Sequence, residues 1–482
     1  MEKNRKIFTF LLLVMFFNGI MIMRSNGYEG DEKWQGGGDE KWQGGGQGGQ
    51  GGGEGGGGQG GEGGGGRRGK GWFLMKEWRQ VIKSEGGEMR VVISPRGRII
   101  EKPMHIGFLT MEPKTLFVPQ YLDSSILFFV RQGEATLGVI CKDEFGEKKL
   151  KGGDIYWIPA GSAFYLLNTG RGQRLHVIIS IDPSQSLGFE TFQPFYIGGG
   201  SSSVLAGFDR DTLTSALNVS RPEVQQLLTS RFGGPIVHIQ EHAPTMWTEF
   251  LGLRGEEKHK YLKKLLEMKQ ETSQDQDYSQ WWSWRNLVRS ILDITQEKNR
   301  WSGGSSKCED SYNMYDRKND FDNDYGWSKA LDHDDYEPLK YSGVGVYLVN
   351  LTAGSMMAPH MNPTATEYGI VLSGSGEIQV VFPNGTSAMN TRVSVGDVFW
   401  IPRYFAFCQI ASRTGPFVFV GFTTSAYKNR PQFLVGSNSL LRSLNVTSLA
   451  MAFGVDVETM RKLIEAQKEA VILPTAAAAP PA

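Results

Sequence analysis

A heptapeptide occurs twice in this chain, as Gly153-Asp-Ile-Tyr-Trp-Ile-Pro159 and as Gly396-Asp-Val-Phe-Trp-Ile-Pro402, at an offset of 243 residues. A second match, at an offset of 236, pairs Leu213, Ala216, Leu217, Val219, Leu227 and Leu228 with Leu449, Ala452, Phe453, Val455, Leu463 and Ile464. So long a period excludes a solenoid, whose units run about 20–50 residues. It requires a duplicated domain, and it fixes the order within each copy: a strand-rich part, then a helical part.

The strand-rich parts are short alternating or β-branched and aromatic runs bounded by turn residues. In the first copy they cover 126–130, 135–141, 154–158, 164–167 and 175–181; in the second, 344–351, 368–372, 377–382, 397–401, 405–410 and 417–422. Many short strands at regular spacing predict an antiparallel sandwich or barrel. The helical part opens at Asp211-Thr-Leu-Thr-Ser215, and Asn218-Val-Ser-Arg-Pro-Glu223 breaks and restarts it, with Ser220 as N-cap and Pro222 in the first turn. The C-terminal copy repeats this arrangement before a Pro/Ala tail. Helical modules this small leave apolar faces uncovered unless they pack on something else, and a neighbouring subunit is the natural candidate.

The amino terminus is of another kind. Lys3, Arg5 and Lys6 precede a mainly apolar run over 7–23, and Ser25-Asn26-Gly27 supplies small residues for cleavage, so residues 1–27 read as a secretory signal peptide, with an uncleaved anchor as the rival. Residues 28–75 form a leader in which Asp31-Glu-Lys-Trp-Gln-Gly-Gly-Gly38 is repeated from Asp39 to Gly46. Between Gly36 and Gly71 lie 23 of the 62 glycines. So little apolar surface cannot offset the entropy of ordering, and this segment is expected to be disordered. Asn218-Val-Ser, Asn350-Leu-Thr, Asn384-Gly-Thr and Asn445-Val-Thr are N-glycosylation acceptor sequences, consistent with the secretory route. With 51 Lys+Arg against 51 Asp+Glu, the chain lacks the field of a nucleic-acid binder or polybasic membrane protein. Three cysteines, Cys141, Cys308 and Cys408, are too few for a disulfide scaffold, and the odd count leaves at least one without an intrachain partner.

Between the copies, residues 253–340 read as an insert. A charged helix is expected over 256–270, and Trp281, Trp284, Val288, Ile291 and Leu292 form an amphipathic stripe on a second helix. Residues 308–337 are acidic and loop-like, the pattern of a solvated, protease-accessible linker. Asp320-Phe-Asp-Asn-Asp324 fails as a calcium loop, because Tyr325 takes the glycine position and Leu331 the bidentate glutamate position. The two repeated domains then cover 76–252 and 341–482.

Gly354, His360, Asn362, Glu367 and Gly374 carry the chemistry. Their spacing resembles the first cupin motif, in which Gly, a His-x-His pair, Glu and Gly lie on two strands of a small barrel; Gly396 and Pro402, and in the first copy Gly153, Pro159, Gly161 and Asn168, resemble the second motif. The resemblance implies a mainly β fold: two tandem cupin (double-stranded β-helix or jelly-roll) barrels, each followed by a small α-helical arm. A metal cupin brings three imidazoles and a carboxylate together. Here Asn362 replaces the second histidine and Phe407 the third. The first copy has Pro119-Gln120-Tyr121 at the pair, Ser124 or Ser125 near the acidic position and Phe164 at the third histidine. An aromatic hydrocarbon cannot bind a cation, so the first barrel is expected to hold no metal, and the second at most a weak transition-metal site at His360, Glu367 and Cys408. The plainer reading makes His360 a hydrogen-bonded residue of the barrel mouth with Glu367 as its partner, and Cys408 a small buried apolar residue.

A finer resemblance, to the vicilin (7S globulin) seed storage proteins, rests on Phe195-Tyr-Ile-Gly198 and Phe433-Leu-Val-Gly436 at the barrel exits and on Pro359-His-Met-Asn-Pro363 leading to Glu367. It implies a non-catalytic nutrient reservoir without cofactor, a homotrimer assembled through its helical arms, and residence in the protein storage vacuole, with secretion to the extracellular space as the alternative. Two other functions stay open at this point: a metal-dependent oxidase or dioxygenase using His360 and Glu367, and a small-ligand or sugar-binding cupin.

Overall fold

The computed structural model describes residues 72–95, 102–141, 144–186, 191–198, 200–229, 234–239, 308–474, 476 and 479–481. The expected signal peptide, the glycine-rich run and both helices of the insert lie outside these residues.

The first copy is built from β1 (Trp78–Ser84), β2 (Gly87–Val92), β3 (His105–Met111), β4 (Thr115–Leu122), β5 (Ile126–Gln132), β6 (Glu134–Cys141), β7 (Glu144–Lys151), β8 (Asp154–Ile158), β9 (Phe164–Asn168), β10 (Leu175–Ile181), β11 (Pro194–Tyr196) and β12 (Ile236–His238). One sheet runs β1-β2-β3-β10-β5-β8; the other runs β11-β4-β9-β6-β7, with β12 also on β4. Every pairing is antiparallel. Strand β5 shows what holds the arrangement. Ile126, Phe128 and Val130 face the barrel interior, while Leu127 and Phe129 face the second copy. With both faces buried from Ile126 to Val130, that stretch is apolar throughout instead of alternating, and only the exposed end, Arg131 and Gln132, is polar.

The second copy comprises β13 (Tyr312–Asn313), β14 (Phe321–Asn323), β15 (Gly326–Leu331), β16 (Gly345–Leu351), β17 (Met356–Met361), β18 (Glu367–Val381), β19 (Ser387–Ser394), β20 (Val398–Ile401), β21 (Ala406–Ala411), β22 (Phe417–Thr423), β23 (Gln432–Phe433) and β24 (Ile472–Leu473). The two runs expected at 368–372 and 377–382 are one continuous strand, β18. Its first half pairs with β20 and β22, its second with β19 and β21. Gly374, at φ 73°, sits where the strand passes from one face of the barrel to the other, and a Cβ there would collide with the Pro416 carbonyl.

The repeated heptapeptide is a turn followed by a strand. Gly153 (φ 91°) and Gly396 (φ 90°) take a backbone conformation that side chains disfavour. Asp154 and Asp397 each accept the amide of the residue three before, Lys151 N–H and Ser394 N–H, both at 2.8 Å. The aromatic and β-branched residues then form β8 and β20.

Short segments cross between the copies. Residues 72–75, placed in the leader by sequence, lie on the second barrel: Met75 N–H donates to Val398 O, and Trp400 N–H to Phe73 O, both at 2.9 Å. In return β13 pairs with β8 of the first barrel. The acidic stretch is therefore not a solvated linker. Cys308 forms a disulfide with Cys141 on β6, Asn313 Nδ2 donates to Asp154 Oδ1 at 2.7 Å, and buried Lys329 donates to Met314 O (3.2 Å) and Tyr315 O (2.8 Å). Residues 320–324 enter the β14–β15 hairpin, which pairs with β16. Alternation of charge with Tyr, Met and Trp concealed these contacts, because the pairing partners lie in the other copy.

The arms have the expected form. Helix α1 (Arg210–Leu217) is capped by Asp209 and ends at Asn218 in the left-handed region; at the start of α2 (Arg221–Thr229) Ser220 donates both its N–H and its Oγ–H to Glu223 Oε2. Beyond a short α3 (Pro338–Ser342) and α4 (Leu440–Ser443), the second arm is α5 (Val446–Phe453), ended by Gly454 where the first has Asn218, and α6 (Val457–Ala466), capped by Asp456. Among the described residues no helix is long and apolar enough to cross a membrane.

Candidate functional site

Strand register brings the corresponding residues of each barrel together. His360 on β17 lies opposite Phe407 on β21 and Phe433 on β23. Gln120 on β4 lies likewise opposite Phe164 on β9 and Tyr196 on β11. Glu367 opens β18 opposite Ile401; the residue opposite Ile158 in the first barrel is Ile126. The acidic position of the first copy is thus Ile126, and neither Ser124 nor Ser125 fills it. The gaps between motif residues differ slightly in the two copies, and only the register resolves them.

In the second barrel His360 is 2% exposed. Its Nδ1 lies 2.7 Å from Ala358 O. A carbonyl only accepts, so Nδ1 carries the proton. The ring packs on Phe407 and Phe433, with centroids 4.1 and 5.2 Å away. Burial among these rings drives its pKa down to about 4, the Ala358 bond opposing the shift, and the imidazole is neutral near pH 7.

Glu367 partners Asn362, not His360. Asn362 Nδ2 donates to Glu367 Oε1 (2.8 Å) and to Asn429 Oδ1 (2.6 Å). Its own Oδ1 accepts from Thr364 N–H and Oγ1 and from Ala365 N–H. The residue that stands where a second histidine would ligate instead fastens the loop between β17 and β18, with both amide groups fully used. Burial raises Glu367 to about pKa 7, with hydrogen bonds from Asn362 and Asn429 and the nearby Tyr347 phenol offsetting part of the rise. The wholly buried Tyr347 phenol is itself pushed well above its ordinary value by burial and by the adjacent carboxylate. Neither Asn429 nor Tyr347 stands in a motif, and nothing in the sequence marked them.

Cys408 is not part of this constellation. It follows Phe407 on β21, and successive strand residues face opposite sides. Phe407 faces His360; Cys408 faces Ile410, Ala476 and Ala479 and contacts Gln379. Burial pushes the thiol up to about pKa 12, which opposes the thiolate a metal requires. Among the described residues, the grouped metal-ligand atoms are those of Asp332, His333 and Asp334 on the surface, not His360, Glu367 and Cys408. The proposed three-residue site does not assemble.

In the first barrel Gln120, Leu122, Ile126 and Phe164 line a small apolar cavity with Phe117 and Phe128. Gln120 is wholly buried, and neither its Nε2 nor its Oε1 has a hydrogen-bond partner. No group lining this cavity ionises. The four acceptor asparagines differ in setting: Asn218, Asn384 and Asn445 are exposed, whereas Asn350 is half-buried in mid-sheet between β15 and β22.

Comparison with known proteins agrees with this architecture. A family model described as Cupin matches twice, over residues 76–225 and 312–461. A vicilin-like seed storage protein of Arabidopsis thaliana is 77% identical over 501 residues, spanning 100% of this chain and 98% of its own. Another from the same plant is 31% identical over 82% of this chain and 73% of its own. Among solved structures, vicilin from Corylus avellana (hazelnut) superposes with a TM-score of 0.64 at 21% identity, covering 83% of this chain and 99% of its own, and a vicilin from Solanum lycopersicum (tomato) with 0.66 at 19%, covering 84% and 99%.

Proposed function

Because this chain belongs to the cupin family, and within it to the vicilin-like seed storage proteins, we propose that it is a nutrient reservoir in which neither barrel catalyses a reaction. The observation that carries this reading is the replacement of ligand positions in both barrels. One has Gln120, Leu122, Ile126 and Phe164; the other keeps His360 and Glu367 but commits Glu367 to Asn362 and covers His360 with Phe407 and Phe433. Such a donor set suits structure better than an open coordination site. No cofactor is invoked, and metal analysis of native protein beside a His360→Ala variant should find no stoichiometric metal in either.

Protein measured through seed maturation and germination should accumulate to abundance and then be consumed. A scarce protein, unchanged across that transition, would defeat the reservoir reading. The proposed address is the protein storage vacuole, reached through the secretory pathway after removal of the signal peptide, and immunolabelling of maturing seed checks it.

Exposed apolar residues on the arms support a homotrimer. Met451 is 74% exposed, and Phe453 and Leu463 are each 62% exposed. Uncovered side chains of this size favour a partner surface. Light scattering should give a trimer for the parent, and a monomer for a Phe453→Asp, Leu463→Asp double variant. We further propose glycosylation at Asn384, in an exposed hairpin turn, and at Asn218 and Asn445, with Asn350 unmodified; glycosidase treatment followed by peptide mass analysis distinguishes them.

A further inference from the structure

A cleft of about 370 Å3 opens at one end of the seam between the barrels. Its walls are Leu348, Leu372 and Val418 from the second barrel, Trp327 from the hairpin, Tyr315 from the crossing segment and Arg131 from the end of β5. The volume suits a small organic molecule. The charge is one-sided. Arg131 donates from Nη2 to Leu372 O at 2.7 Å, which holds the guanidinium at the rim, and no described carboxylate forms an ion pair with it. Lys329 Nζ lies over the Trp327 ring, 5.1 Å from its centroid. The nearby carboxylate, Asp316, is paired with Lys151 at 3.0 Å. One polar group is unused: Asn350, in the same cross-strand row as Trp327 and Val418, has a buried Oδ1 without a hydrogen bond.

We propose that this cleft binds a small aromatic carboxylate, its ring between Trp327, Leu348 and Val418 and its carboxylate on Arg131. The guanidinium offers planar paired donors that match a carboxylate, and the apolar walls supply the area that a bare anion would not use. An uncharged aromatic would forgo the first contribution, and a short fatty acid the second.

The test uses the full chain and 3-(4-hydroxyphenyl)propionate, with its amide and with propionate as controls, by calorimetry and equilibrium dialysis. The acid should bind at one site per chain. The amide should bind roughly tenfold more weakly or worse, and propionate without saturation. Arg131→Gln should weaken the acid by about the same factor while leaving the amide unchanged; Arg131→Lys should fall between. Val418→Phe, which fills the cleft, should abolish binding of both aromatics, with circular dichroism confirming the fold. Absence of saturable binding to the parent, or equal affinity across Arg131→Lys, Arg131→Gln and Val418→Phe, would overturn the proposal.

Discussion

The two barrels share strand order, heptapeptide turn and aromatic floor, yet they fill the positions of the cupin metal ligands in opposite ways. The first has turned them into a hydrocarbon pocket with a single stranded amide, Gln120. The second has ionisable groups surrounded with structure: His360 is tied to a carbonyl and packed against two tilted phenylalanine rings, and Glu367 is tied to Asn362. The ligand positions of a metal cupin can therefore be filled in more than one physical way. Removal of charge leaves a quiet interior, while retention leaves an interior whose stability responds to pH.

The crosslink is the largest difference between the copies. Cys141 ties the first barrel to Cys308 across 167 residues, whereas Cys408 has no disulfide. A Cys141→Ser, Cys308→Ser double variant should lose about 5 kcal/mol by the loop-entropy relation, less if the reduced chain keeps structure. Denaturant titration followed by fluorescence would measure it, and a loss below about 1 kcal/mol would mean that β13 and Lys329 suffice to hold the segment.

The second comparison is the response to pH. The folded-state pKa of Glu367 lies above its ordinary 4.5, so its contribution to stability is whole below about pH 4.5 and is lost as pH rises through about 7. His360 lies below its ordinary 6.5, so its contribution is whole above about 6.5 and is lost as pH falls toward 4. Each amounts to about 3 kcal/mol, and between roughly pH 4.5 and 6.5 the opposed slopes cancel. Glu367→Gln should break the balance, making the chain more stable than the parent by about 2–3 kcal/mol above pH 7.5 and no more stable below pH 5. A pH-independent difference between the two proteins would show that the carboxylate is not strained. The corresponding positions of the first barrel, Gln120, Leu122 and Ile126, carry no titrating group and add nothing to this curvature.

Next come the paired turns. An added Cβ at Gly153 would meet the Tyr315 ring at 2.6 Å and Asn313 Oδ1 at 2.9 Å, whereas at Gly396 nothing lies within 4 Å. Gly396→Ala should cost about 1–2 kcal/mol from backbone strain alone, and Gly153→Ala more, because the crossing segment must move. Equal losses in thermal unfolding would mean that this segment yields freely. The smallest effect belongs to Gln120→Leu, which removes an amide buried without partners and should stabilise the chain by about 1 kcal/mol. His360→Leu at pH 7 should do the reverse, since it leaves the Ala358 carbonyl without its donor.

Much of this was legible in sequence. Alternation and β-branching placed β5, β8, β10 and β22 to within a residue or two, because each buries at least one face continuously. Motif spacing placed His360 and Phe407 at two ligand positions of one barrel, and the register sets them opposite each other. What escaped was whatever depends on a distant partner: Asn429 and Tyr347 reach Glu367 from other elements, Ile126 occupies the acidic position only by register, and Cys408 lost its role because adjacent strand residues point apart. The segment over 308–337 misled for the same reason, since its acidity is local and its contacts are with the other copy.

The reciprocal crossing of residues 72–75 and 312–313 has a consequence for dismantling the molecule. Each half clasps the other by its leading edge, and the sulfur bridge lies beyond the stretch that joins them. A protease that cuts anywhere between Ile239 and Cys308 therefore liberates nothing: both pieces stay covalently joined and keep their interlocked borders. Separating the two pieces made by such a cut requires both reduction of the bridge and opening of the clasp.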